Sequence, residues 1–275
     1  SKYDVILAST THSAKYVTTG DNNLEINYCY TPFRLAWNPN SYKPYEDSKG
    51  LYRLVFNKII ANLKKIDFKF AQRANKYIAM TPETSNRIKT HYQINDKIEI
   101  INPSIDTDNY YISNKTNDYY LIVSRLEKYK MVDLAIHAFN KTGKPLKIIG
   151  RGMEETRLKN IANDNIEFIG SVSQNELVEY YSMCRALIFP QYEDYGLTPL
   201  EANACGRPVI AYGYGGIRST MVPYKKDNPD INFTAVFFDK QNLDSLIKAV
   251  DIFEKLKINK NFIREHAEKF DDKIF

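Results

Sequence analysis

Two glutamates, Glu193 and Glu201, stand eight positions apart in the stretch Pro190-Gln191-Tyr192-Glu193-Asp194-Tyr195-Gly196-Leu197-Thr198-Pro199-Leu200-Glu201. Further upstream, Arg125 and Lys130 share one short polar segment, Ser124-Arg125-Leu126-Glu127-Lys128-Tyr129-Lys130. A guanidinium offers a planar fork for phosphate oxygens and an ammonium a mobile point charge, so the two cations suit a diphosphate. The carboxylates are acceptors for sugar hydroxyls. Gly150-Arg151-Gly152 adds an anion-binding cue, because glycines let backbone N–H groups approach a phosphate where a helix begins. Each signal taken alone has an ordinary explanation: two solvated loop cations, a tight turn and, for Glu201, a capping box Thr198-Pro199-Leu200-Glu201 with proline at the first helical position. The capping box leaves Glu193, Tyr195 and Gly196 unexplained, and these lie just ahead of the helix, where its amino terminus would face an anion.

Apolar runs alternating with helical periodicity position these residues. Tyr119 to Val123, Leu146 to Ile149, Ile166 to Ile169, Ala186 to Phe189, Pro208 to Ala211 and Ala235 to Phe238 read as short buried strands. Helical patterns over Met131 to Asn140, Glu154 to Ala162, Gln174 to Ser182 and Pro199 to Ala204 separate them, and two more, Leu243 to Leu256 and Lys260 to Phe270, close the chain. This is the pattern of one complete doubly wound α/β domain, whose ligands bind beyond the carboxyl ends of the strands. The first hundred residues repeat it less completely, with strands at Tyr3 to Ala8, Leu24 to Tyr28, Tyr77 to Met80 and Ile98 to Ile101 and helices at Leu51 to Asn75 and Glu83 to Tyr92. The polar, proline-containing stretch Asn102 to Asn109 separates the two, predicting a partial Rossmann-like domain over residues 1–104 and a complete one over 105–275.

Composition narrows the class. With 275 residues, 43% hydrophobic and 26% charged, the chain is globular rather than disordered or collagenous. No window reaches the roughly 18 apolar residues of a membrane span, and the first residues carry no signal pattern, so a cytoplasmic protein is expected, peripheral to a membrane at most. Three widely spaced cysteines support neither a disulfide framework nor a zinc site. A net charge of +5 is modest, accords with an AT-rich coding bias, and calls for no nucleic-acid partner. In the long first-half helix, Leu51, Val55, Ile59, Leu63, Ile66 and Phe70 share one face beside a stripe of Lys58, Lys65, Lys69 and Arg73. That reads as a helix packed on its sheet with a solvated face, or as a surface drawn to anionic lipid.

Arg125 to Lys130, the Glu193/Glu201 pair, Gly206-Arg207-Pro208-Val209-Ile210 and Tyr214-Gly215-Gly216 together resemble the retaining, nucleotide-sugar-dependent glycosyltransferases of family 4, which have the two-domain GT-B fold. In the first half, Tyr28-Cys29-Tyr30-Thr31-Pro32-Phe33-Arg34 and Tyr77-Ile78-Ala79-Met80-Thr81 are similar to a subgroup containing bacterial O-antigen and exopolysaccharide mannosyltransferases. The resemblance implies an α/β GT-B fold with an incomplete first, acceptor-side domain, lacking the family's opening strand and glycine-rich loop. It implies catalytic roles for Arg125, Lys130 and Glu193. Donor binding would fall to Gly150, Arg151, Val172, Asp194, Tyr195, Gly196, Leu197, Thr198 and Glu201, and the acceptor side to Tyr30 and Arg34. Implied too are a hexose donor, with mannose from GDP-mannose the first choice, no metal or other cofactor, and a saccharide or lipid-linked acceptor at the inner face of the cell membrane in surface polysaccharide synthesis. Tyr30 stands where the family usually has histidine, and Ser219 where it usually has glutamate.

Asp106-Thr107-Asp108 is formally a metal-binding D-x-D but lies in the linker, where turn and cap chemistry explains it, and His12, His91, His137 and His266 show no metal spacing. Three rival readings stand beside a transferase. A catalytically inactive or truncated nucleotide-sugar-binding module would share every donor-side feature. A nucleotide-sugar epimerase would need histidines paired with the glutamates. A nicotinamide oxidoreductase would need G-x-G-x-x-G directly after a first strand, which neither Ser124-Arg125-Leu126 nor Gly150-Arg151-Gly152 supplies.

Overall fold

A computed structural model describes residues 3–17, 23–228 and 232–274. The chain divides into two compact units, Ser1–Asn102 and Pro103–Phe275.

The first unit holds a four-stranded parallel sheet in the order β1-β2-β3-β4: β1 (Val5–Thr10), β2 (Leu24–Cys29), β3 (Lys76–Ala79) and β4 (Ile98–Ile100). Two one-turn helices, α1 (Arg34–Trp37) and α2 (Lys43–Glu46), and the long α3 (Gly50–Ala71) connect β2 to β3, and α4 (Pro82–Tyr92) connects β3 to β4. Thr81 starts α4 by accepting a bond from the Thr84 N–H at 3.1 Å, with proline at the next position. Two expectations fail here. The nearly continuous apolar run Tyr3 to Ala8 is of the kind covered on both sides in a parallel sheet, yet the first strand is not, because Val5 and Leu7 are 53% and 63% exposed and only the alternate residues Ala8 and Thr10 are buried. Among the described residues it is an edge strand bonded only to β2, with one side of its backbone outside the ladder.

The face of α3 that packs inward is also not the apolar one. Ile60, Asp67 and Ala71 are buried, whereas Leu51, Val55, Ile59 and Ile66 are exposed and Leu63 and Phe70 half-buried. The reason is the Asp67 carboxylate, fully buried and satisfied from four directions. Lys15 Nζ lies 2.8 Å away, Tyr16 Oη donates at 2.6 Å, Trp37 Nε1 at 2.7 Å and Tyr92 Oη at 2.8 Å. A buried charge is tolerated only with such a set, and satisfying it fixes the rotation of the helix.

The second unit holds six parallel strands in the order β10-β9-β8-β5-β6-β7. They are β5 (Tyr120–Val123), β6 (Leu146–Ile149), β7 (Ile166–Gly170), β8 (Leu187–Phe189), β9 (Val209–Tyr212) and β10 (Ala235–Phe238). The helices are α5 (Val132–Thr142), α6 (Glu155–Ile161), α7 (Gln174–Met183), α8 (Leu197–Ala204), α9 (Ile217–Thr220), α10 (Leu243–Phe253) and α11 (Lys260–Ala267). Alternation along the strands divides the core: Tyr120, Ile122, Leu146, Ile148, Ile188 and Phe238 join α5 and α10 in one cluster. Their neighbours Leu121, Ile149, Leu187, Phe189 and Val209 are equally buried, as a parallel sheet covered on both faces requires.

Asp67→Ala should lower the unfolding free energy of the first unit by about 3–5 kcal/mol, because it leaves the Lys15 ammonium buried without its counter-charge. Tyr16→Phe removes one donor and should cost less. Denaturant unfolding of the two variants measures the difference, and equal losses would contradict the charge argument.

Candidate functional site

In the second unit the strand order reverses between β5 and β8: the chain winds from β5 outward through β6 and β7, then returns to β8 and continues through β9 and β10. The crevice at such a reversal, beyond the carboxyl ends of the strands, is where open α/β sheets bind ligands. The loops after β5 and β8 flank it, and they carry Lys130 and Glu193. A 3-10 turn over Lys128–Lys130 and a left-handed Met131 (φ 53°) bend the first loop into α5. Lys130 Nζ then donates to Glu193 Oε2, with the two side chains only 13% and 15% exposed. Tyr129 extends the array: its ring lies 5.1 Å from Lys130 Nζ, and its hydroxyl accepts from the exposed Arg125 at 2.7 Å. Arg125, Lys130 and Glu193 are therefore brought into one array.

The Glu193 loop is held by a glycine. Gly216, in the loop after β9, donates its N–H to the Glu193 carbonyl at 2.8 Å, and a Cβ there would fall 2.0 Å from the Asp194 carbonyl oxygen. Gly150 has a similar structural purpose, and here the sequence expectation is corrected. With φ 134°, a Cβ at this position would lie 1.9 Å from the Ser124 carbonyl oxygen, so the glycine lets the loop after β6 pack on the loop after β5. Its N–H is committed to the Gly170 carbonyl at 2.8 Å rather than left for an anion, and α6 begins only at Glu155. Arg151 beside it is exposed, and Val172, beyond β7, is half-buried.

The capping box at Glu201 does not form. α8 begins at Leu197 behind a left-handed Gly196 (φ 99°), two residues before the expected start at Pro199, so Glu201 falls two positions deeper in the helix. There its carboxylate turns to the neighbouring helix and accepts from Tyr181 Oη at 2.7 Å, with the Tyr110 hydroxyl also acting on it. Burial raises the Glu201 carboxyl above the usual carboxylate range, and the hydroxyls of Tyr181 and Tyr110 oppose that rise. Asp194 and Tyr195 are both buried, and the Tyr195 hydroxyl donates to the Pro103 carbonyl at 2.6 Å. Leu197 is exposed and Thr198 half-buried at the helix start.

In the first unit, Tyr30 follows β2 and its hydroxyl accepts from Ser9 Oγ at 3.1 Å, while Arg34 opens α1. His12, dismissed as a metal ligand on spacing, lies just past β1 with its ring 5.2 Å from that of Phe33. The D-x-D residues do turn chemistry: Asp106 accepts from the Asp108 N–H, Thr107 donates to Asp271, and Asp108 pairs with Lys273. His137 is exposed on α5. Sequence reasoning missed Tyr129, which lies inside the basic segment, and Tyr181, twenty positions before its partner Glu201 with no local spacing to reveal it.

A raised carboxyl pKa gives stability that is complete below the unfolded pKa and is lost as pH rises through the folded one. Glu201→Gln should abolish that loss, so its melting temperature should improve relative to the parent as pH rises through and above the carboxylate range. Parallel melting profiles for the two proteins would refute the assignment of burial as the cause.

A profile of the family described as "Glycosyl transferases group 1" matches residues 106–270. The chain is 24% identical to the alpha-1,3/1,6-mannosyltransferase ALG2 of Candida glabrata, over 78% of this chain and 56% of that protein. It is 27% identical to a probable sucrose-phosphate synthase of Thermosipho melanesiensis, over 70% and 50% respectively. With a D-inositol 3-phosphate glycosyltransferase of Frankia alni it shares 24% identity over 54% of this chain and 44% of that protein. The chain thus spans about half the length of the curated relatives it matches. Among solved structures, sucrose-phosphate synthase from Thermosynechococcus elongatus superposes with a TM-score of 0.76 at 16% identity, covering 98% of this chain and 69% of that one. Anabaena Alr3699/HepE in complex with UDP gives 0.71 at 15% identity, covering 98% and 75%. These structures share its fold, two Rossmann-like units of the GT-B type. With a profile match that takes in every strand of the second unit, the chain belongs to the group 1 glycosyltransferases.

Proposed function

We propose that this protein transfers a hexose from a nucleotide sugar to a saccharide acceptor with retention of configuration, as a family 4 enzyme of the mannosyltransferase subgroup. The observation that carries the reading is the Lys130–Glu193 pair across the strand-order reversal, with Arg125 linked to it through Tyr129. Cleaving the bond between the sugar C1 and the diphosphate oxygen puts negative charge on the leaving phosphate. Arg125 and Lys130 stabilise that charge in place of a metal ion, which is preorganised electrostatic catalysis. The acceptor hydroxyl attacks C1 on the face the phosphate leaves, and its proton passes to a phosphate oxygen. Lys130 exchanges Glu193 for the diphosphate as donor binds, freeing the carboxylate for hexose hydroxyls. Glu201 takes the ribose, its hydroxyls competing with Tyr181. Tyr30 and Arg34 serve the acceptor.

The first choice of donor is GDP-mannose; the mannosyl relative supports the sugar, whereas the neighbour solved with UDP supports a uridine donor equally. We place the reaction in surface polysaccharide assembly, at the inner face of the cell membrane. The exposed Leu51, Leu54, Val55 and Ile59 of α3, next to the exposed Lys58, Lys65 and Lys69, support contact with anionic lipid and hence a lipid-linked acceptor.

Calorimetric titration with GDP and UDP tests the donor site. Lys130→Ala should weaken nucleoside diphosphate binding by about 1.5–3 kcal/mol, the worth of a charge-assisted hydrogen bond. Glu193→Ala should spare nucleoside diphosphate binding and impair only use of the intact sugar donor, whereas Glu201→Ala should weaken binding of both. Binding of neither nucleotide at millimolar concentration would sink the assignment, and binding without turnover of any nucleotide sugar would leave a binding module in place of an enzyme.

A further inference from the structure

A cavity of about 460 Å³ lies at the other edge of the six-stranded sheet, where the segments leading into β5, β8 and β9 meet the start of α11. Its size is that of a small-ligand cleft. One wall is cationic. Arg207, 2% exposed, donates to the carbonyl oxygens of Ser182 and Lys115 at 2.8 and 2.6 Å and to Thr116 Oγ1 at 2.6 Å. Lys260 Nζ donates to the Ser113 carbonyl at 3.0 Å and to the same Thr116 oxygen at 3.4 Å. Every one of these acceptors is neutral, and neither cation has a carboxylate partner among the described residues. Burial, then the nearby Arg207, lowers the Lys260 pKa, as expected where positive charge is uncompensated. Because both cations donate to the Thr116 oxygen, its hydroxyl proton is left to donate elsewhere.

The facing wall is charge-balanced. Arg185 lies 2.9 Å from Asp118 and 3.3 Å from Glu254, which also holds Lys144 at 2.6 Å. Its carboxylates keep lone pairs for hydroxyl donors. Phe253, Leu256 and Ile258 supply an apolar lining. A ligand with an anionic end, several hydroxyls and an apolar ring face matches all three surfaces.

We propose that this cavity binds a phosphorylated sugar, with its phosphate against Lys260 and Thr116, drawn by the uncompensated charge of the buried Arg207 behind them, and its hydroxyls toward Asp118 and Glu254. The site is separate from the nucleotide-sugar reading, since it lies at the amino ends of the strands whose carboxyl ends carry Lys130 and Glu193. Calorimetric titration of the 275-residue chain with a hexose 6-phosphate and with inorganic phosphate, each with and without UDP present, tests it. The hexose phosphate should bind saturably and more tightly than inorganic phosphate, in the presence of UDP as in its absence. Lys260→Gln and Thr116→Val should each weaken it about tenfold or more, the worth of one charge-assisted hydrogen bond, while Lys130→Ala should leave it unchanged. Thr116 is exposed, so its substitution separates lost binding from lost folding. No saturable binding at millimolar concentration, binding that survives both substitutions, binding abolished by Lys130→Ala, or no gain from the sugar over phosphate would overturn the proposal.

Discussion

Parallel pairing of β5 with β8 is the constraint on which the candidate site depends. The two strands are neighbours although their critical side chains, Lys130 and Glu193, stand 63 positions apart in the chain. Since all six strands run in one direction, every loop that follows a strand emerges at the same edge. Cation and carboxylate then meet across the crevice without any helix or loop having to span it. Reversing one central strand would send its loop to the opposite edge and dissolve the pair. The opposite edge is not idle either, for there Arg207 is buried among carbonyl oxygens.

Two carboxylates, the buried Asp67 and the half-buried Glu201, show how surroundings decide what a side chain does. Asp67 meets an ammonium and three neutral donors, and the set locks α3 in a rotation that leaves much of its apolar face outside. Glu201 meets tyrosine hydroxyls, and its burial is answered by hydrogen bonds without a counter-charge. The first arrangement makes a carboxylate structural. The second leaves it dependent on groups that an arriving polar ligand can replace.

Much of this organisation is legible in the sequence, because strands buried on both faces are continuous apolar runs and the helices between them keep a clear period. The strands of the second unit lie within a residue or so of where hydrophobic patterning puts them, and the loops richest in chemistry are the ones that follow those strands. What patterning cannot resolve is rotation and long-range partnership. The apolar stripe of α3 outweighs Asp67 in any periodicity argument, yet one buried charge with four donors prevails. Similarly, Thr198 to Glu201 has every local mark of a capping box, but the left-handed Gly196 starts the helix two residues early. Gly150 looks like a phosphate-binding glycine, and only the structure reveals its N–H bonded to Gly170.

The contact between Gly216 and the backbone of Glu193–Asp194 bears on how this architecture can diversify. Two loops from adjacent strands are fastened by their main chains, with no space for a side chain between them. A designer or a mutating population that wishes to reshape the crevice therefore has to leave the fastener alone and work on the residues that flank it, such as the exposed Tyr192 and Tyr214. Rings at those positions can be exchanged one at a time, while the loops that carry them move only as a joined pair.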